Sequence, residues 1–182
     1  MTLLQALLVA WFAGLMLPRR HRWLAFVLAA CSLIPWHQDV SAAMASRALW
    51  GDPSVTTIQL TVLSLLGRAP LAFRRAWRGP AVISIAGLVF YVLALGMGNF
   101  DPYQTGYHPV LLVALLAAPA VVLWWRNQPV WLWLLAVDLL AFSAHVLEST
   151  NFWDYAIDPL LALVCLILAM RNFFSSPRGA IV

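Results

Sequence analysis

The stretches Pro80–Met97 and Pro109–Trp125 contain no charged side chain at all, and Pro159–Phe174 contains only Arg171. Runs of this kind leave few folds open, because a water-soluble helix needs one polar face. The whole chain follows the same pattern: of 182 residues, 63% are hydrophobic and 10% charged. A soluble domain carries about 25% charged residues. Mean hydropathy is +0.85, which places the chain among polytopic membrane proteins. The expectation is therefore an all-α bundle forming a single transmembrane domain over residues 1–182, with no room for a separate soluble domain.

Seven apolar segments read as spans: Thr2–Leu17, Trp23–Trp36, Pro53–Gly67, Pro80–Met97, Pro109–Trp125, Pro129–Leu147 and Pro159–Phe174. Ser41–Trp50 is too short and polar to cross and suits an interfacial helix, within an outer segment of about 37–52. Pro53, Pro80, Pro109, Pro129 and Pro159 each stand at an expected helix start, where the missing N–H has no helical partner to lose. Asp52 and Asp158, each preceding a proline, are expected N-caps. Pro35, Pro70 and Pro119 should kink or end their segments. Several segments fall short of the roughly 20 residues that a full crossing takes. Thr2–Leu17 is not read as a signal peptide, because its basic residues follow the apolar run rather than precede it.

Charge placement sets the direction. With seven spans, Arg19, Arg20, Arg22, Arg68, Arg74, Arg75, Arg78, Arg126, Arg171 and Arg178 share one side, and only Arg47 lies on the other. The positive-inside rule makes the arginine side cytoplasmic, with the N-terminus out and the C-terminus in. Trp23, Trp77, Trp124, Trp125 and Trp131 then form an inner aromatic belt, and Trp36, Trp50 and Trp153 an outer one. The arginines are read as topology signals and not as a nucleic-acid surface. The absence of lysine excludes a Schiff base or a lysine nucleophile. Cys31 and Cys165 sit inside apolar runs with no CxxC spacing, which argues against redox chemistry.

The same topology gathers Asp39, Asp52, Asp101, Glu148, Asp154 and Asp158 on the outer side, with His37, His108 and His145 and several Tyr and Trp residues. Asp138 alone falls inside a span. An ionisable group there faces a cavity, a partner or a pathway, and Thr57, Thr61 and Ser64, on one face of the third segment, are its expected polar partners. Helix-to-helix glue and proton carriage are both open to it. Asp138, His145 and Glu148 are spaced to share one face of the sixth helix. His145 and Glu148 at i, i+3 could then give a nitrogen and an oxygen ligand to a divalent transition metal, with His108 from a neighbouring loop. They could instead serve acid–base catalysis with Asp154 and Asp101.

Three classes of function follow. The first is a protein of the bacterial inner membrane that binds or assembles with a membrane or lipid-linked partner through its outer face. The second is a membrane-embedded enzyme acting on a lipid-linked substrate. The third is a small proton-coupled transporter working through Asp138.

Overall fold

The computed structural model describes residues 2–21, 23–37, 39–68 and 77–175. Arg22, Arg74, Arg75, Pro70 and Arg178 lie outside the described residues, as do the side chains of Arg19, His37 and Trp50. The fold is all-α apart from one small hairpin, and the chain forms two compact units, Met1–Ala69 and Pro70–Val182.

In the first unit, α1 (Thr2–Met16) is the hub. It packs against α2 (Trp23–Ser32), α3 (Ala42–Trp50) and α4 (Val55–Leu65). Ala6 and Ala10 of α1 are buried with Ala29 of α2, and a Cβ on Gly14 would lie 3.9 Å from that of Ala25. Small residues at one-turn spacing let the two backbones come close. The sequence reading carries the second segment to Trp36, but α2 ends at Ser32. The structure instead forms a hairpin of β1 (Pro35–His37) and β2 (Val40–Ser41), with Asp39 turning at φ 62°.

Helix α3 is held to α1 through the buried Gln5. Its amide donates to the Gly51 carbonyl at 2.8 Å and accepts from the Ser46 hydroxyl at 3.2 Å. Asp52 is not the cap of α4, contrary to expectation. The helix starts two residues later, and Ser54 Oγ accepts from the Thr57 N–H at 3.1 Å. Asp52 pairs with Arg47 at 2.7 Å instead. Thr56, Thr57 and Thr61 are buried on α4, and Trp11 Nε1–H donates to Ser64 Oγ at 2.9 Å. Part of the polar stripe thus faces α1 within its own unit.

The second unit contains α5 (Arg78–Ala94), a 3-10 helix (Pro102–Tyr107), α6 (Pro109–Trp125), α7 (Pro129–Ser143), α8 (Trp153–Ala156) and α9 (Pro159–Ser175). Helices α5 and α9 run antiparallel. Trp77 meets Phe173 edge-on at 5.7 Å at one end, and the Tyr91 hydroxyl donates to the Ile157 carbonyl at 3.2 Å at the other. Gly87 sets their separation, since a Cβ there would lie 2.9 Å from the Cβ of Ala162. Helix α6 runs on through Pro119, which removes one backbone hydrogen bond without ending the helix.

Four helices end alike. Gly67, Gly96, Asn127 and His145 take positive φ of 70°, 84°, 55° and 51°. At each, two amides turn back onto the last turn; at His145 these are His145 N–H to Phe142 O and Val146 N–H to Ala141 O. This paired closure satisfies carbonyls that would otherwise be orphaned. It also corrects the expected extent of the sixth segment. The helix stops at Ser143, so Asp138, His145 and Glu148 do not share a helical face.

Polarity is distributed against the pattern of a water-soluble fold. Thr57, Thr61, Ser84, Asp138 and Asn172 are buried, while Val82, Ile85 and Leu88 of α5 are each more than 60% exposed. On α6, Val110, Val113 and Val121 are exposed, and Trp124 and Trp125 are 75% and 86% exposed. Taken together, α8 and α9 (Trp153–Ser175, 23 residues) form the one stretch among the described residues long and apolar enough to cross a membrane. The other apolar helices run 10–17 residues.

Candidate functional site

The densest polar construction of the second unit joins two loops, 98–108 and 144–158, at one end of α5, α6, α7 and α9. Each loop uses the same device to turn its chain. Asp101 Oδ1 accepts from the Tyr103 N–H at 2.9 Å, and Asn151 Oδ1 accepts from the Trp153 N–H at 2.9 Å. A side-chain acceptor bonded two residues ahead stands in for a backbone turn. In each loop a short helix follows.

The loops are then cross-linked. Asn151 Nδ2–H donates to the Tyr103 carbonyl at 2.8 Å, and the Phe152 N–H donates to the Gly106 carbonyl at 3.3 Å. Trp153 Nε1–H donates to Thr105 Oγ1 at 2.9 Å. The Tyr103 hydroxyl donates to Asp154 Oδ2 at 2.9 Å, and the Ser149 hydroxyl donates to the same oxygen. Asn151, Phe152 and Tyr155 are fully buried. The Tyr155 hydroxyl ties down the approach to the loop, accepting from the Leu147 N–H at 3.2 Å and donating to its carbonyl at 3.0 Å. Phe142 at the end of α7 packs edge-on to Phe152 and Tyr155 at 5.7 and 5.3 Å. The result is a closed latch.

Gly106 is dictated by space. A Cβ there would lie 1.9 Å from Asn151 Oδ1 and 2.6 Å from Trp153 Cδ1. Burial pushes the Tyr103 phenol above its ordinary range, and its hydrogen bond to Asp154 acts in the same direction. A neutral phenol donating to a carboxylate is a charge-assisted bond, stronger than a neutral one.

The expected site residues are only partly brought together. Asp154 lies in the latch, and Asp101 caps the turn that presents Tyr103. His145 is exposed and closes the end of α7 through its backbone; Glu148 and His108 are also exposed. Among the described residues no three His, Cys, Asp or Glu side chains form a group able to hold a metal ion. Asp138 is buried, 3% exposed, on α7, and Thr57 and Thr61 are buried on α4. Trp153 is half-buried, and its indole N–H is held by Thr105.

Sequence reasoning placed Trp153 and other aromatics on the outer side but gave Ser149, Asn151, Thr105 and Gly106 no part in joining the two loops. The available signal was the pair of Asx-aromatic turns, Asp101-Pro102-Tyr103 and Asn151-Phe152-Trp153. Compared with known proteins, the chain matches no family model, no curated protein and no solved structure.

Proposed function

We propose that the chain is a polytopic protein of a bacterial-type inner membrane, crossing seven times with its N-terminus out, and that its latched outer face is a recognition surface for a membrane or lipid-linked partner. The observation that carries the membrane reading is the inverted polarity: large apolar side chains outside, hydroxyls, an amide and a carboxyl inside. An apolar exterior of this extent is an aggregation surface in water and the required surface in lipid. The helices of 10–17 residues fit a locally thinned bilayer or continue the crossing through their capped ends. α3 lies at the outer interface, and Arg47, the one arginine on that side, is neutralised by Asp52.

Recognition is favoured over catalysis by the state of Asp154. One of its oxygens already accepts two hydroxyl hydrogen bonds. Each bond to a charged group contributes roughly 1.5–3 kcal/mol, and proton transfer through that oxygen would have to give them up. The exposed Tyr107, stacked edge-on against Tyr103 at 5.8 Å, is the part of the latch a partner would meet. A photo-crosslinking residue at position 107 should capture a discrete membrane protein or lipid-linked species in cells. Equal yields from position 107 and from a control at Gln128, on the other side, would remove the recognition reading.

The buried Asp138 carboxyl supports a second reading, proton-coupled transport. In that case Asp138→Asn would abolish a pH-dependent phenotype that His145→Ala and Glu148→Ala leave intact.

A further inference from the structure

Within the second unit the charges separate by end. The latch end carries Asp101, Glu148, Asp154 and Asp158. At the opposite end α5 begins, α6 turns into α7 and α9 finishes, and there Arg78, Arg126 and Arg171 are exposed with no acid in residues 77–80, 122–130 or 168–175. At this end a ring lies beside one of the guanidinium groups. Arg78 Cζ lies 5.9 Å from the centroid of the Trp77 ring. Trp77 in turn meets Phe173 edge-on at 5.7 Å, two residues beyond Arg171. Phe173 and Phe174 are 56% and 81% exposed, continuing the apolar outer face of α9 up to the charged rim.

We infer that this α5–α9 rim binds the phosphate headgroup of an anionic phospholipid, with Arg78 and Arg171 on the phosphate and Trp77, Phe173 and Phe174 along the upper acyl chains. The inference rests on the membrane reading. Charge complementarity names the occupant: arginines and no acids at the foot of an apolar helix face match an anionic head on an apolar tail. Arginine suits phosphate because its planar fork donates two parallel hydrogen bonds. A ring under Arg78 holds that fork near the interface while leaving its edge N–H groups outward. A soluble phosphate would use the guanidinium groups and leave the aromatic face without purpose.

The test is native mass spectrometry of the full chain released from detergent, titrated with phosphatidylglycerol, phosphatidylcholine or inorganic phosphate. Alkaline carbonate extraction of cell membranes is run in parallel. The wild type should retain phosphatidylglycerol in preference to phosphatidylcholine, in a salt-sensitive way. Arg78→Gln and Arg171→Gln should each lower that preference about fivefold, while the variants stay in the carbonate-resistant membrane fraction. Equal retention of the two lipids by the wild type, or full retention of phosphatidylglycerol by the double variant, would overturn the inference. So would displacement of the lipid by millimolar inorganic phosphate. Loss of the wild type itself from the membrane fraction would instead sink the membrane reading on which the inference stands.

Discussion

Gly106 and His145 illustrate opposite ways in which a single residue is fixed. At Gly106 the constraint is volume, and Gly106→Ala should destabilise the protein by about 3 kcal/mol, because the new methyl meets the amide that cross-links the loops. A melting curve in detergent measures this, and Asn151→Ala should relieve part of the clash in the double variant. At His145 the constraint is backbone. A left-handed conformation costs a non-glycine residue roughly 1 kcal/mol, so His145→Gly should be neutral or stabilising by about 0.5–1 kcal/mol. A gain in stability with unchanged cellular function would remove the imidazole from any catalytic scheme. Tyr103 adds a pH dependence. Its folded value is raised above the ordinary value near 10, so its contribution is complete below pH 10 and fades as alkali drives the phenol to ionise. Absorbance titration should show a late-ionising tyrosine phase that Tyr103→Phe reduces by one phenol.

Helix starts were legible at Pro109, Pro129 and Pro159, because proline at the first turn is a local signal. The helix end at Gly67 was legible, whereas the expected Pro80–Met97 segment ran past the turn at Gly96. The end at His145 was not legible, since histidine carries no sign of the left-handed conformation that its neighbours impose. Nor was the cap of α4: Ser54 outcompetes Asp52 because the helix starts at Val55 and Asp52 is held by Arg47. Ser54→Ala should cost about 1 kcal/mol, read from thermal unfolding, whereas Asp52→Asn should leave the α4 start unchanged. Between α5 and α9 the spacing is set by Gly87. Gly87→Leu should separate the two helices and cost several kcal/mol, seen as loss of protection from hydrogen exchange along both, with Gly87→Ala much milder.

At the scale of the whole molecule, composition and hydropathy were enough to give an all-α fold and a membrane expectation. The way the latch closes was not legible, since the bond from Asn151 to Tyr103 joins residues 48 apart and leaves no periodicity in either loop. The proposed seven-span orientation makes a direct prediction. In a background with Cys31 and Cys165 replaced, a cysteine at the exposed Gln104 should react with an impermeant maleimide from outside the cell, and one at Asn127 should react only after permeabilisation. The reverse pattern would place the latch in the cytoplasm. Thr105 would be an unsuitable probe position, because it is only 4% exposed and bonded to Trp153.

The latch also sets an order of events during biosynthesis. When Tyr103 joins the growing chain, its partner Asn151 lies 48 residues ahead. Until the second loop is made, the first has neither the amide nor the carboxylate that will close it. On the proposed membrane reading, helices α6 and α7 insert before the ends that carry the latch can be fastened. A chain halted just before Asn151 should be an early substrate for membrane quality-control proteases. Two co-expressed pieces divided at the Asn127 turn retain both sides of the closure, one in each piece, and can meet in the bilayer.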